Sequence, residues 1–592
     1  MPSLISDFHE GERAMHQLLK VPRQNDPTSP GLPMRYAMRV MQSSLVALGT
    51  LDDAGRPWTT VWGGDRGFAR PVAEGVLALN SAVDTKHDPV FRALWAGAEV
   101  EDGAVVQTGA GDGKEMAALS IDLETRDRVK LMGKMIAGAA TGRGKEVQMA
   151  MAVTGSLGNC PKYLNKKDVV LNDMEPELVS DSLPLPREAL DLIGKADMFF
   201  LSSTNGESTD TNHRGGSPGF VRVARNEADG LELVYPEYSG NRLYQTLGNF
   251  KVNPLVGMMI PDFDTANVLY LTGSASILVG EEASTLLART QLAVKISVTA
   301  ASFVKCGLPF RGSVLEYSPY NPPIRHLLSE QDTHMASFGN SQPSISASLV
   351  KCEVITPTIN RFTFEIASRG SAPQWHAGQY VTLDFEPELG SGYSHMRDED
   401  PQSLNDDYVR TFTVSSLPGS SEVQITARKH GPVTNFLWRH NLRVPLEIPV
   451  LGFGGEEAFR IPLDPQAPQP VFIAAGVGIT PLLAQARSVL DAGVSLKLVW
   501  TLRGEDVPLA VDTFAKIPAL ANATTLFVTG QADQKQVERM GTKVEMRRVG
   551  REDVEKLKGG GRQFFLCTGP TLLAALGVWL EGEKVIWEDF GY

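Results

Sequence analysis

Hydrophobic positions in the first half of the chain come in short runs rather than helical stripes. Ser44 to Thr50 is one run. The polar turn Asp52-Asp53-Ala54-Gly55 separates it from a second, Pro57 to Trp62, and Gly64-Asp65-Arg66-Gly67-Phe68 follows. Runs of this length bounded by turn residues predict strands. The pattern returns further along, where Met198 to Ser203 leads through Asn205-Gly206 to Gly215-Gly216-Ser217-Pro218-Gly219-Phe220. A closer match sets Ile121-Asp122-Leu123-Glu124-Thr125 and Val129 to Gly133 against Pro261-Asp262-Phe263-Asp264-Thr265 and Leu269 to Gly273. Both read as strand, tight acidic turn, and strand ending in glycine, a hairpin signature. Two matches in the same order make an internal repeat. The expected object is a tandem pair of related small β-barrels, mostly β with helices, in residues 1–328, with halves at about 30–175 and 185–325.

From Ser329 to Ser346 the composition turns to Ser, Gln, Asn, Gly and Pro without periodicity, which predicts a linker over residues 329–346. Beyond it, runs such as Gln379 to Phe385 and Tyr408 to Ser415 alternate with turn residues, predicting an antiparallel barrel over residues 347–465. After Pro470 the period changes. An apolar strand Val471 to Ala475, a helix Pro481 to Ala492, and strands Leu496 to Thr501, Thr525 to Thr529 and Phe564 to Thr568 predict a parallel α/β sheet over residues 466–592.

Composition narrows the classes. A chain of 592 residues is too long for one core and suggests roughly three to four domains. Charged residues at 21% and hydrophobic ones at 42% are ordinary for a globular protein, and the apolar runs are strand-sized, well short of a bilayer span. Met1 to Gln17 lacks an apolar stretch of the signal-peptide kind. A net charge of −13 argues against a nucleic-acid partner. Cys160, Cys306, Cys352 and Cys567 are scattered, which fits a reducing cytoplasm, predicts no metal site, and leaves out an iron–sulfur cluster built on closely spaced thiolates.

The candidate chemistry concentrates in the second half. Gly476-Val477-Gly478-Ile479-Thr480-Pro481 follows a buried strand and opens a helix, a place where backbone N–H groups can meet a pyrophosphate. Taken alone, it reads equally as a glycine turn. Upstream, Arg410-Thr411-Phe412-Thr413 sets a guanidinium, an aromatic ring and hydroxyls on one extended segment, suited to a flavin's phosphate, ring system and N5 edge. Gly431-Pro432-Val433-Thr434 adds a second helix start for an anion. Cys567-Thr568-Gly569-Pro570 follows a strand, and Glu588-Asp589-Phe590-Gly591-Tyr592 closes the chain.

In this order, the motifs over Ala347 to Tyr592 resemble the ferredoxin–NADP reductase superfamily. The resemblance implies a hydride-accepting FAD gripped by Arg410, Thr411, Phe412 and Thr413, with its phosphate at Gly431, Pro432, Val433 and Thr434. It implies an NAD(P)H pyrophosphate at Gly476, Gly478, Thr480 and Pro481, with Gly569 and Pro570 nearby. Thr413, Cys567 and Phe590 are the residues implied to flank the reacting rings, with Tyr592 as the alternative C-terminal aromatic over the flavin. Thr568 interrupts the family's cysteine-glycine-proline string, and on its own Cys567 reads first as a core strand residue. Arg503 is suited to a ribose or 2′-phosphate or to solvent, so NADH and NADPH both stand.

The first half carries a second resemblance. Asn212 to Val221, Ser239-Gly240-Asn241, Thr246 to Asn249 and Asn253-Pro254 are similar to the pyridoxamine-5′-phosphate-oxidase-like split barrels, which by family habit bind FMN. Phe8 to Glu12 and Gly158-Asn159-Cys160-Pro161-Lys162-Tyr163 resemble a branch in which that domain is fused to a reductase. Arg214, Ser217, Asn241 and Thr246 offer the cation and polar groups an FMN phosphate needs, and His213 is a candidate proton donor. The other reading makes His213 to Gly216 a structural turn and Asn241 a loop cap. Split barrels dimerise, so a homodimer is expected unless the tandem pair satisfies that contact within one chain. The bacterial fusions carry a ferredoxin tail that does not follow Tyr592. The expectation is therefore an oxidoreductase in which FAD passes electrons to an N-terminal FMN or a small organic substrate. The alternative is a donor for a separate cytochrome or oxygenase, with the first half as docking module.

Overall fold

The acidic hairpins found in the sequence belong to two sheets of one strand order. The computed structural model describes residues 8–96, 102–107, 113–142, 146–158, 161–330, 345–368, 375–390, 392–455 and 457–587. The chain divides into two units, Met1–Gln331 with Tyr393–Asp406, and Asp332–Gly392 with Asp407–Tyr592.

In the first unit, helix α1 (Glu10–Leu18) precedes the repeat. The first sheet contains β1 (Leu45–Leu51), β2 (Pro57–Gly63), β3 (Ala69–Ala73), β4 (Val76–Ala82), β5 (Lys114–Asp122), β6 (Asp127–Thr141) and β7 (Glu146–Gly158), in the order β2-β1-β5-β6-β7-β4-β3. The second contains β8 (Met198–Thr204), β9 (Thr209–Gly215), β10 (Arg222–Glu227), β11 (Gly230–Pro236), β12 (Leu255–Pro261), β13 (Val268–Val279) and β14 (Leu292–Lys305), in the order β9-β8-β12-β13-β14-β11-β10. The two paths are the same. Helices α2 (Met34–Gln42) and α3 (Pro89–Leu94) punctuate the first as α4 (Arg187–Lys195) and α5 (Gln245–Val252) punctuate the second.

The matching hairpins share a mechanism. Asp122 Oδ1 accepts from Glu124 N at 2.9 Å while Arg126 turns to φ +64°; Asp262 Oδ1 accepts from Asp264 N at 3.0 Å while Ala266 turns to +61°. A carboxylate that satisfies the turn's own N–H fixes the register of both strands. The halves share core as well, since Leu48, Val61 and Leu119 cluster with Phe200, Met259 and Phe310. Where they meet, Thr59 donates to Gly257 O at 3.0 Å, and a Cβ on Gly49 would stand 1.9 Å from Ser202 Oγ. Only glycine permits that approach.

The second unit has two sheets. Strands β15 (Ile345–Thr356), β16 (Ile359–Ser368), β17 (Tyr380–Asp384), β18 (Val409–Thr413), β19 (Glu422–Arg428) and β20 (Glu447–Gly454) pair antiparallel in the order β18-β17-β20-β15-β16-β19. Helix α6 (Gly431–Arg439) follows β19. Strands β21 (Pro470–Ala475), β22 (Lys497–Arg503), β23 (Thr524–Thr529), β24 (Lys543–Glu545), β25 (Gln563–Cys567) and β26 (Lys584–Trp587) form a parallel sheet in the order β24-β23-β22-β21-β25-β26. Its central strands β21, β23 and β25 are largely buried on both faces, as crossover helices require, while the edge strands β24 and β26 are not.

Three expectations change. The helix expected over 481–492 breaks into α7 (Thr480–Leu483) and α8 (Ala486–Asp491) at the buried Gln485, whose side chain donates to Pro481 O at 2.9 Å and accepts from Ile461 N at 2.8 Å. At the ends of the expected linker, Glu330 pairs with Arg222 and Ile345 already opens β15, while residues 331–344 lie outside the described residues. The barrel expected as one continuous stretch, 347–465, is interrupted by residues 393–406, which hydrogen-bond within the first unit. No helix among the described residues is long and apolar enough to cross a membrane.

Candidate functional site

In the parallel sheet the chain starts at β21, adds β22 and β23 on one side, and returns to place β25 on the other. The reversal opens a crevice beyond the carboxyl ends of β21 and β25, where doubly wound folds bind nucleotides. Two predicted segments flank it. Gly476 follows β21 with φ +56°, and Ala474 lies in register with Cys567, the last residue of β25. Gly478 is packed against that strand end, since a Cβ there would lie 2.1 Å from Cys567 O. Trp500 Nε1 donates to Gly476 O at 3.0 Å and holds the loop from the β22 side. Gly569 and Pro570 open a helix, α9 (Pro570–Trp579), without a side-chain cap, which leaves first-turn N–H groups for an anion. Thr480 and Pro481 are buried in the short helix behind the loop, and Arg503, 73% exposed, stands at the end of β22 with Glu505 at 3.6 Å.

The flavin segment lies on β18. Its register sets Thr413 opposite Tyr380, Phe412 opposite Val381, Thr411 opposite Thr382 and Arg410 opposite Leu383. Strand alternation therefore splits the motif: Arg410 and Phe412 share one face, and Thr411 and Thr413 the other. On the hydroxyl face, Thr382 Oγ1 is buried without a hydrogen-bond partner among the described residues. A buried hydroxyl left this way fits a site that a polar ligand completes. Arg410 Nη1 lies 3.9 Å from Asp407 and donates to Val409 O at 3.0 Å.

At α6, Gly431 has φ +72° with open space above it, and no side chain caps the helix. Pro432 has no N–H to give, and Val433 buries its side chain in the barrel core. Thr434 departs from its expected role: its hydroxyl turns back to accept from His430 N at 2.6 Å, so the backbone rather than the hydroxyl is what this turn offers an anion. The structure adds Arg428, at the end of β19. It pairs with Asp506 at 2.5 Å, donates to Thr358 at 2.8 Å, and would lie 3.4 Å from a Cβ at Gly476. Barrel and parallel sheet are thus tied together beside the nucleotide loop. Arg428 stands just before the Gly431 motif, where proximity was its only sequence signal. Phe590 and Tyr592 lie outside the described residues.

The first unit holds a separate open cleft of about 100 Å3. Its wall includes Lys130, Lys162, Arg214 and Arg242 against Glu237, with Tyr163, Tyr238 and Tyr244 as aromatic surface. Of the predicted residues, Arg214, Asn241 and Thr246 line it and Ser217 does not; the Ser217 hydroxyl donates to Pro322 O at 3.0 Å. Arg214 is already paired with Glu237 at 2.8 Å, Thr246 donates to Asp210 at 2.9 Å, and Asn241 accepts from Leu243 N at 3.1 Å as a loop cap. Lys130, which sequence reasoning missed, bridges Asp210 and Gln245.

His213 is also on the wall, with the Arg128 guanidinium on its ring. Burial, reinforced by the charge of Arg128, pushes its pKa well below the ordinary histidine value. A neutral imidazole under a cation is a poor proton donor near neutral pH, which disfavours the expected role. Helix α5 opens onto the cleft without a side-chain cap, behind Tyr244 at φ +59°. Its counterpart in the first half, α3, is closed by Asp88, which accepts from Val90 N at 2.8 Å and Phe91 N at 3.1 Å. Lys162 and Tyr163 stood in a quoted motif, but nothing in the sequence placed them beside Arg242.

No family model matches the chain. It is 32% identical over 128 residues to the glycine betaine monooxygenase reductase subunits of two strains of Pseudomonas aeruginosa, an alignment covering 21% of this chain and 29% of theirs. The chain thus matches less than a third of the length of these relatives. Among solved structures, the FAD/NAD-binding domain of nitric oxide dioxygenase from Vibrio cholerae is 18% identical with a TM-score of 0.31, covering 42% of this chain and 98% of that one. The ferredoxin NADP+ reductase from Neisseria gonorrhoeae is 13% identical with a TM-score of 0.28, covering 42% and 100%. The antiparallel barrel and the parallel sheet of the second unit follow one another in the order the sequence motifs anticipate, and part of the chain is similar to a reductase subunit.

Proposed function

We propose that the chain is an NAD(P)H-dependent flavoprotein oxidoreductase whose electrons go to a flavin or small organic molecule in the cleft of the first unit. FAD, when bound, supplies the two-electron relay between a nicotinamide and a one- or two-electron acceptor. The chain's part is to hold and orient. Arg410 carries the positive charge for the FAD diphosphate, Phe412 on the same face of its strand offers the ring an aromatic surface, the open turn of α6 gives backbone donors, and Thr413 at the strand's end offers a hydroxyl. The loop at Gly476 and the uncapped start of α9 hold the nicotinamide cofactor, with Cys567 between them.

The observation that carries this reading is the packing of Gly478 on Cys567 beside the Arg428–Asp506 tie, which brings the nucleotide loop to the barrel. Counting FAD and FMN separately in purified protein tests it. One FAD per chain is expected, and Arg410→Ala should weaken FAD binding roughly 10- to 100-fold, the effect of losing a charge-assisted contact. Absence of flavin even after reconstitution would reject it.

The first unit supports the acceptor half of the reading. Its two like-ordered sheets, packed through Gly49 and Thr59, suit a tandem split-barrel pair with its dimer contact made internally. The cleft's excess of cations suits the phosphate of FMN or another planar anion. The relatives favour a second reading, since each is the reductase subunit of a monooxygenase; in that case the acceptor is a separate redox protein. Rapid NAD(P)H oxidation with small acceptors alone supports the first reading, and turnover only when a carrier protein is added supports the second.

A further inference from the structure

The connection from β17 to β18 spends residues 393–406 along the rim of the first unit's cleft. The Tyr393 ring lies 3.4 Å from the Arg242 guanidinium carbon, and its hydroxyl donates to Gly240 O at 3.0 Å. Lys162 Nζ donates to His395 O at 2.5 Å. Asn405 donates to the Tyr163 hydroxyl at 2.8 Å and accepts from Ser239 N at 3.1 Å. On the segment's other side Tyr320 donates to Asp398 at 2.6 Å and Gln402 to Pro319 O at 2.6 Å.

Arg242, Lys162, Tyr163 and Gly240 all line the cleft. Two of them, Tyr163 at φ +61° and Arg242 at +60°, hold a backbone conformation that side chains of this size adopt only when their surroundings impose it. The segment is therefore part of what builds the ligand-facing wall. It also has little slack. Only Asp406, Asp407 and Tyr408 separate Asn405 from Val409, where β18 begins. That stretch is itself fixed, because Asp407 accepts from Val409 N at 3.1 Å, and Tyr408 is buried at φ +52°.

We propose that residues 393–406 are a strap with Tyr393 and Asn405 as positioning residues. They order Arg242, Lys162 and Tyr163 around a planar, anion-bearing ligand, and the filled cleft, by fixing the strap, steadies the strand that carries Arg410 to Thr413. Ligand in the cleft then tightens FAD binding, and FAD tightens the ligand by the same factor, as linkage requires. This rests on the reading that the cleft takes such a ligand.

The test uses the full chain loaded with FAD, with FMN as probe. FMN uptake is measured by equilibrium dialysis, and FAD release after dilution by the fluorescence of freed flavin. Saturating FMN is expected to slow FAD release about tenfold, within the usual range of coupling between sites. Tyr393→Phe, which keeps the ring on Arg242, should retain most of that effect; Tyr393→Ala and Asn405→Ala should lose it and weaken FMN several-fold. FMN that binds without changing FAD release in the unaltered chain overturns the strap and leaves the cleft reading intact. FMN that does not bind overturns both. Because the unaltered chain decides the matter, variants that fail to fold leave the test standing.

Discussion

Single side chains in the first unit report how far burial can bend ordinary chemistry. Glu12 lies on α1, its carboxylate accepting from His9 N at 2.9 Å, and burial raises its pKa to about 7. A carboxyl whose folded pKa exceeds its unfolded one costs nothing below about pH 4.5. Its penalty grows as pH rises and is complete above the folded value. The shift corresponds to about 3 kcal/mol. Glu12→Gln should therefore match the parent near pH 4 and gain up to that amount by pH 8, as followed by denaturant melts across pH. A difference that does not change with pH would refute it. In the second unit, Trp500→Phe removes the hydrogen bond to Gly476 O and keeps an aromatic ring in the core, at the cost of some buried volume. Losing about 1 kcal/mol of loop anchoring should raise the KM for the nicotinamide roughly fivefold with kcat little altered.

At the scale of elements, what matters is where two backbones must touch. Gly478 is conspicuous in the sequence as a pyrophosphate glycine, yet its neighbour is the end of β25, with Cys567 O 2.1 Å from where a Cβ would go. Gly478→Ala must move backbone rather than a flexible side chain. It should cost about 1–3 kcal/mol, the range of overpacked sites, and should raise the nicotinamide KM while FAD content stays at one per chain. Unchanged nicotinamide affinity would show that the loop does not hold the cofactor. The break between α7 and α8 belongs to the same scale. Helix periodicity runs through it, but the buried Gln485 amide finds its partners in Pro481 and in Ile461 of a distant segment, and an unpaired amide there would be costly.

Across the whole molecule the tandem repeat has become unequal. The halves share one strand order, yet the start of α3 is sealed by Asp88 while that of α5 opens on the cleft. The Asp88 carboxylate also accepts from Thr60 at 2.7 Å and Trp62 at 3.0 Å, and burial lifts its pKa to about 6. A carboxylate so placed keeps a second anion from the start of α3. Titration with FMN should accordingly saturate at one equivalent per chain in the first unit, counted apart from FAD; two equivalents there would show that duplication kept both sites.

The sequence on its own determined the elements and the order of the motifs. Strand and turn periods, the acidic hairpin occurring twice, and the glycines after β21 and before α6 are local signals, because short-range sterics and hydrogen bonding set them. What it left undecided were matters of partnership. Whether Arg214 meets a ligand or Glu237, whether Thr434 faces outward or back to His430, and whether His213 sits under a cation depend on groups far away in the chain. Residues 393–406 fall inside the expected barrel because their hydrogen bonds run to residues on the cleft rim of the first unit, and no periodicity marks such contacts. Chemistry at one position is legible wherever its neighbours in sequence supply the forces. Where burial and distant charges supply them, only the folded chain decides.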